Sequence, residues 1–189
     1  MKTMIYKNTE LIKKITFAAA CLALCFALPF LTGAIPEIGG MLCPMHIPAF
    51  LAGALLGPWI GGAVAFVAPI LRGLMFGSPA VFPRGISMAF ELCAYAIVFG
   101  LLLKLLPKKI GFMYLSLTGA MLVGRVVGGI TKIVLLSLGA IGKYGWQLYF
   151  TGYFVETIPG VVLQFLLIPP ILYALRRAKL YSYTLDKSL

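Results

Sequence analysis

Between Leu11 and Leu175 the sequence is a succession of apolar runs with very few charges inside them, and this patterning decides what the chain can fold into. A hydrocarbon core of about 30 Å is crossed by about 20 helical residues rising about 1.5 Å each. Bounded by charges or by Pro and Gly, the runs predict six helices, at about residues 11–31, 46–57, 58–77, 84–106, 112–138 and 146–175. Hydrophobic residues make up 61% of the chain and charged residues 11%, against roughly 45–50% and 25% in an ordinary soluble domain. A water-soluble fold and a disordered chain are thereby excluded, and four cysteines are too few for a disulfide-stapled module. The expectation is an all-α, polytopic membrane protein, with residues 1–189 forming a single integral membrane domain.

Lys and Arg number 16 against 5 Asp and Glu, a net +11 that in a soluble chain would suggest nucleic acid. Placement argues for a bilayer instead. Eleven of the cations (Lys2, Lys7, Lys13, Lys14, Lys104, Lys108, Lys109, Arg176, Arg177, Lys179 and Lys187) fall at the two termini and in one connection between apolar runs. That is the positive-inside pattern, so both termini and the connection between the fourth and fifth spans are cytoplasmic. The first run is too long for a signal-peptide core of about 7–15 residues and closes on no clear cleavage site, so it counts as a span. The loop that follows, Gly33 to Pro48, is rich in Pro and Gly and free of Lys and Arg, as suits an external loop. From Ile47 to Phe76 the apolar stretch would measure about 45 Å as one helix. Gly57-Pro58 divides it, because proline is favoured in the first turn of a helix and disfavoured inside one.

Charges inside membrane spans are costly and usually face a bundle interior or a cavity, so they are the best pointers to function. The candidates are Arg72 at the outer end of the third span, Arg84 and Glu91 in the fourth, Arg125 and Lys132 in the fifth, and Glu156 in the sixth. Arg125 lies about 21 Å and Lys132 about 31 Å along the fifth span from its inner start, with Glu156 about 14 Å in from the outer start of the sixth. Arg84 and Glu91 are seven residues apart, as are Arg125 and Lys132, so each pair shares a helix face. Gly152, Glu156, Gly160 and Gln164 form an i+4 stripe on the last span. Two readings stay open: the glutamates neutralise Arg125 and Lys132 in buried pairs that set helix register, or the charges line a cavity open to the outside. With four positive and two negative groups, an anionic ligand would balance such a cavity. Tyr95 and Tyr149, near the outer halves of the fourth and sixth spans, would cover its apolar part.

His46 is the single histidine and closes the sequence Cys43-Pro44-Met45-His46. The cluster offers too few ligands for a soft-metal site, and a residue that closes over a cavity, or plain packing, are the other readings. No cofactor and no metal are expected. Cys21, Cys25 and Cys93 lack CxxC spacing and read as small reduced core residues. Ala19, Ala23 and Ala27 form a small-residue ridge on the first span, and Gly124-x-x-x-Gly128 is a second short one.

A short six-span chain with both ends inside, that alanine ridge, and Gly57-Pro58-Trp59-Ile60-Gly61-Gly62-Ala63 leading into Pro69-x-x-Arg72 resembles the substrate-specific S component of energy-coupling factor (ECF) transporters, over about the whole chain. The resemblance implies a vitamin-binding subunit without enzymatic activity, multi-pass in a prokaryotic cell membrane. It implies a ligand site near the outer face, between the loop after the first helix and the last three helices, which is where the charges derived above fall. It also implies partners: a transmembrane coupling subunit and two cytoplasmic ATPases, against which the S component topples to release ligand. Ala19 and Ala23, extended by Ala27, match the family's docking ridge. Together the residues name a candidate ligand set of His46, Arg72, Arg84, Glu91, Tyr95, Arg125, Lys132, Tyr149, Glu156 and Gln164. A carboxylate vitamin such as pantothenate is the first choice.

Two other classes compete. A membrane enzyme needs a nucleophile with its base or a metal cluster, which one histidine and two scattered glutamates do not supply. A self-sufficient ion-coupled carrier, with Glu91 or Glu156 carrying a proton, is separated from an S component by whether transport needs partner ATPases; GxxxxGK[ST] is absent from this chain.

Overall fold

The computed structural model describes residues 2–31, 41–107, 109–138 and 150–178. Every regular element among them is helical: α1 (Lys2–Leu31), α2 (His46–Leu56), α3 (Pro58–Phe76), α4 (Ile86–Leu105), α5 (Ile110–Leu138) and α6 (Ile158–Arg177). Five of these are long and apolar enough to cross a membrane, and α2 is a shorter apolar helix. Their outward side chains are apolar as well, with Leu74 69%, Leu105 77% and Leu166 65% exposed. In water such faces would be strongly unfavourable; against lipid they are the proper solvent contact, provided the backbone is satisfied within each helix.

The bundle is organised around α2. All eleven of its residues are buried, and it packs against α1, α3, α4 and α6. Its sequence explains this position: alanine and glycine at 49, 52, 53 and 54 allow neighbouring backbones to approach closely. A Cβ at Gly53 would lie 2.2 Å from the Ala96 carbonyl oxygen of α4. The chain leaves α2 through Gly57, whose φ of 83° is left-handed, and re-enters a helix at Pro58 in the first turn. The two short helices therefore meet at a tight turn rather than forming one 45 Å rod.

Two wide turns interrupt the expected spans. Val81–Gly85 precedes α4 and is extended at Phe82, so regular helix begins at Ile86 and not at Arg84. Thr151–Val155 precedes α6, and the expected run of 146–175 is broken before Ile158. The i+4 stripe on the last span is broken with it: Gly160 and Gln164 are buried, whereas Glu156 is exposed in the connecting turn. On α1, Cys21 and Cys25 are 3% and 1% exposed and form the buried stripe, which leaves Ala19, Ala23 and Ala27 on the exposed side.

Candidate functional site

Polar residues gather at one level of the bundle because α4 and α5 meet through glycine. Glu91 and Tyr95 are one turn apart on the face of α4 that packs against α5. A Cβ at Gly124 would lie 2.2 Å from the Tyr95 ring, and one at Gly128 would lie 2.8 Å from the Cβ of Glu91. The Gly124-x-x-x-Gly128 spacing is thus the seat for these two side chains, which are 1% and 7% exposed. Tyr95 Oη donates to Glu91 Oε1 at 2.7 Å. His46 Nε2 stands 3.5 Å from the same oxygen. Phe50 fixes the tyrosine from α2, its ring stacked at 5.0 Å between centroids.

His46 opens α2, and the turn before it is tight: Cys43 has φ 46°, and the His46 N–H donates to the Cys43 carbonyl at 3.0 Å. Upstream of that turn, Met41 and Leu42 rest on α6, where a Cβ at Gly160 would come within 2.6 Å of the Met41 carbonyl oxygen. Burial and, after it, the charge of Glu91 push the Cys43 thiol up to about 12, while Arg125 and Arg84 pull it the other way. Three charges from α4, α5 and the wide turn before α4 are therefore felt at this one turn.

Arg125 follows Gly124 on α5 and is 6% exposed. Its Nη1 donates to Thr157 Oγ1 at 2.6 Å, and its guanidinium carbon lies 5.5 Å from the centre of the Phe154 ring. Thr157 is the N-cap residue of α6, yet its hydroxyl makes no capping bond. It serves the arginine instead. The contacts close a ring: α2 to α4 through His46 and Glu91, α4 to α5 through Tyr95 and Gly124, α5 to the segment before α6 through Arg125 and Thr157, and α6 back toward α2 through Gly160 and Leu42.

On α6, Gln164 lies one turn beyond Gly160 and is 1% exposed. Its Nε2 and the Nδ1 of His46 are buried without a hydrogen-bond partner among the described residues. Such groups are costly unless something pairs with them, by about 1–3 kcal/mol each.

Of the ten candidate ligand residues, the structure brings His46, Glu91, Tyr95 and Arg125 into this arrangement, and buries Gln164 one turn beyond Gly160. Lys132 is half-buried on α5, two turns beyond Arg125. Arg84 and Glu156 are exposed at the ends of the two wide turns. Arg72 does not join the ring. It is 6% exposed, donates to the Ser78 carbonyl, and lies 5.2 Å and 5.8 Å from the Phe30 and Phe76 rings, which reads as a clamp between α1 and α3. Tyr149, Lys143 and residues 33–40 of the outer loop lie outside the described residues. Thr157, Phe154 and Phe50 are site neighbours that charge-based reading passes over; a threonine just ahead of Ile158-Pro159 carries an N-cap signal, but nothing in sequence spacing pairs it with Arg125.

A family model described as ECF transporter, substrate-specific component, matches residues 13–172. The chain belongs to that family, which is one of transporters and not of enzymes. It is a substrate-binding, multi-pass membrane subunit. No curated protein and no solved structure gives a significant match.

Proposed function

We propose that this S component captures a small, water-soluble, anionic vitamin or vitamin precursor between α2, α4, α5 and α6, on the outer side of a prokaryotic cell membrane. The observation that carries the reading is the buried Arg125 guanidinium, with the buried Gln164 on α6 offering an Nε2 that has no hydrogen-bond partner among the described residues. An arginine stays charged when desolvated and presents a planar fork that fits a carboxylate or phosphate. The Arg125 fork would receive the carboxylate or phosphate of the incoming anion, while the carboxylate of Glu91 is held by Tyr95 and His46. Gln164 Nε2 would donate to an acceptor on the same molecule, and the ring of Phe154 offers apolar cover. A carboxylate vitamin such as pantothenate meets these demands and is the first choice.

Uptake in this reading depends on a transmembrane coupling subunit and two ATPases, with the exposed ridge Ala19, Ala23 and Ala27 as the docking surface. Exposure supports it. Among the described residues α1 is the least covered of the five long spans, with 11% of its apolar window buried.

The test is mass spectrometry of the small molecule retained after mild purification, followed by reconstitution into vesicles. An anionic compound should be found, and the chain alone should bind it without accumulating it under a proton or sodium gradient. A cationic ligand would overturn the anion assignment, and concentrative uptake by the chain alone would favour a carrier that uses Glu91.

A further inference from the structure

Glu91 to Leu103 on α4 is twelve residues, so about 18 Å separates the ligand site from the inner end of that helix. There α4, the start of α5 and the end of α6 diverge around a cavity of about 180 Å³. Its floor is apolar: Leu103 and Leu172 are buried, and the one hydroxyl there, on Ser116, donates to the Phe112 carbonyl at 2.7 Å. The Ser116 hydroxyl proton is thereby taken, so a polar solute would find no free side-chain donor at that depth. Its mouth is cationic. Lys109 and Arg176 both line the cavity, and among the described residues that line it none is acidic. Both are exposed, as is Tyr173 one turn before Arg176, a residue type suited to the headgroup level of a membrane.

We propose that this cavity is a binding site for an anionic phospholipid of the cytoplasmic leaflet. Its phosphate sits between Lys109 and Arg176, and the upper part of an acyl chain lies over Ile110 and Met113 into the apolar floor. Charge complementarity chooses the occupant. The mouth lies on the positive side of the chain, where anionic headgroups are attracted to basic residues. The volume is close to that of engineered apolar cavities of about 150 Å³, which stay dry and take up hydrocarbon. A soluble phosphate compound would match the mouth and leave the floor unused.

Native mass spectrometry of the full chain released from vesicles of equal phosphatidylglycerol and phosphatidylcholine tests the assignment. The parent should retain phosphatidylglycerol preferentially, and Lys109→Gln with Arg176→Gln should lower that preference about tenfold or more, given the attraction of each basic residue to an anionic surface. Ile110→Trp, at an exposed position on the rim, should lower retention with both cations intact. Arg177→Gln, a neighbouring cation that does not line the cavity, should leave it unchanged. Equal retention of the two lipids by the parent, or an Arg177→Gln loss as large as that of the paired variant, would overturn the site. So would a paired variant that keeps its lipid, whether or not it loses association with a protein partner.

Discussion

Arg125→Gln separates a ligand anchor from a structural tie. In the parent, Nη1 donates to Thr157 at 2.6 Å and the guanidinium lies over Phe154. Glutamine retains one amide that can reach toward the threonine, but it loses the charge and the fork. A hydrogen bond to a charged group contributes about 1.5–3 kcal/mol, and each 1.4 kcal/mol is about tenfold in affinity. Binding of an anionic vitamin should therefore weaken between about tenfold and a hundredfold or somewhat more, measured by titration calorimetry in detergent. Arg125→Lys keeps a charge without the planar fork and should fall between parent and glutamine variant. Thr157→Val, which removes the acceptor while leaving the charge, should cost less than Arg125→Gln, because the arginine is still present to meet the anion. Unchanged affinity in Arg125→Gln would refute the anchor. So would a variant that unfolds while the surviving folded fraction binds as tightly as the parent, which would make Arg125 a register-setting cation.

Tyr95→Phe preserves the ring against Phe50 and Gly124 but removes the 2.7 Å bond to Glu91, so thermal stability in detergent should drop by about 1–3 kcal/mol; a melting curve identical to the parent's would show that the bond contributes nothing. Ala23→Trp should abolish co-purification with the coupling subunit and leave ligand affinity unchanged, since the ridge and the ligand ring are separate surfaces; loss of both together would contradict that separation. Cys43, raised from 9.0 to about 12, should react with a water-soluble maleimide at pH 8 about a thousandfold more slowly than an unperturbed thiol, and Glu91→Gln should speed it. Between pH 9 and 12 the unfolded chain has released the Cys43 proton that the folded chain keeps, so stability contributed at this residue falls as pH rises through that window; a flat alkaline profile would argue against the burial of the thiol.

The fold class was legible because membrane spans are written in composition, and composition survives any error in register. The break at Gly57-Pro58 was legible for a related reason: only glycine takes φ 83° without strain, and proline then restarts a helix. The wide turns at Val81–Gly85 and Thr151–Val155 were not. A charge lies at each, Arg84 within the first and Glu156 just after the second, but a π-type turn keeps helical hydropathy while shifting every later side chain around the axis. Glu156 shows the consequence. It shares an i+4 stripe with Gly160 and Gln164 in the sequence, yet the structure leaves it exposed and those two buried.

Charge was a good guide to which residues matter in the bundle and a poor guide to what they touch. Glu91 and Arg125 stand out in an apolar sequence, and opposite signs invite the inference of a mutual pair. The structure gives the carboxylate a tyrosine and a histidine and gives the guanidinium a threonine hydroxyl and an aromatic face. Such neighbours come from four different elements, set beside one another by backbone approaches at Gly124, Gly128 and Gly160. A glycine in a sequence shows that something approaches closely without saying what. For a substrate-specific component, that division is physically sensible. The glycine contacts hold the helices at fixed distances, while the polar side chains around them can change with the ligand at little cost to the packing. Arg125 and Gln164 are then where a change of ligand class should first be written, and Gly124 and Gly128 where substitution should damage the bundle whatever the ligand.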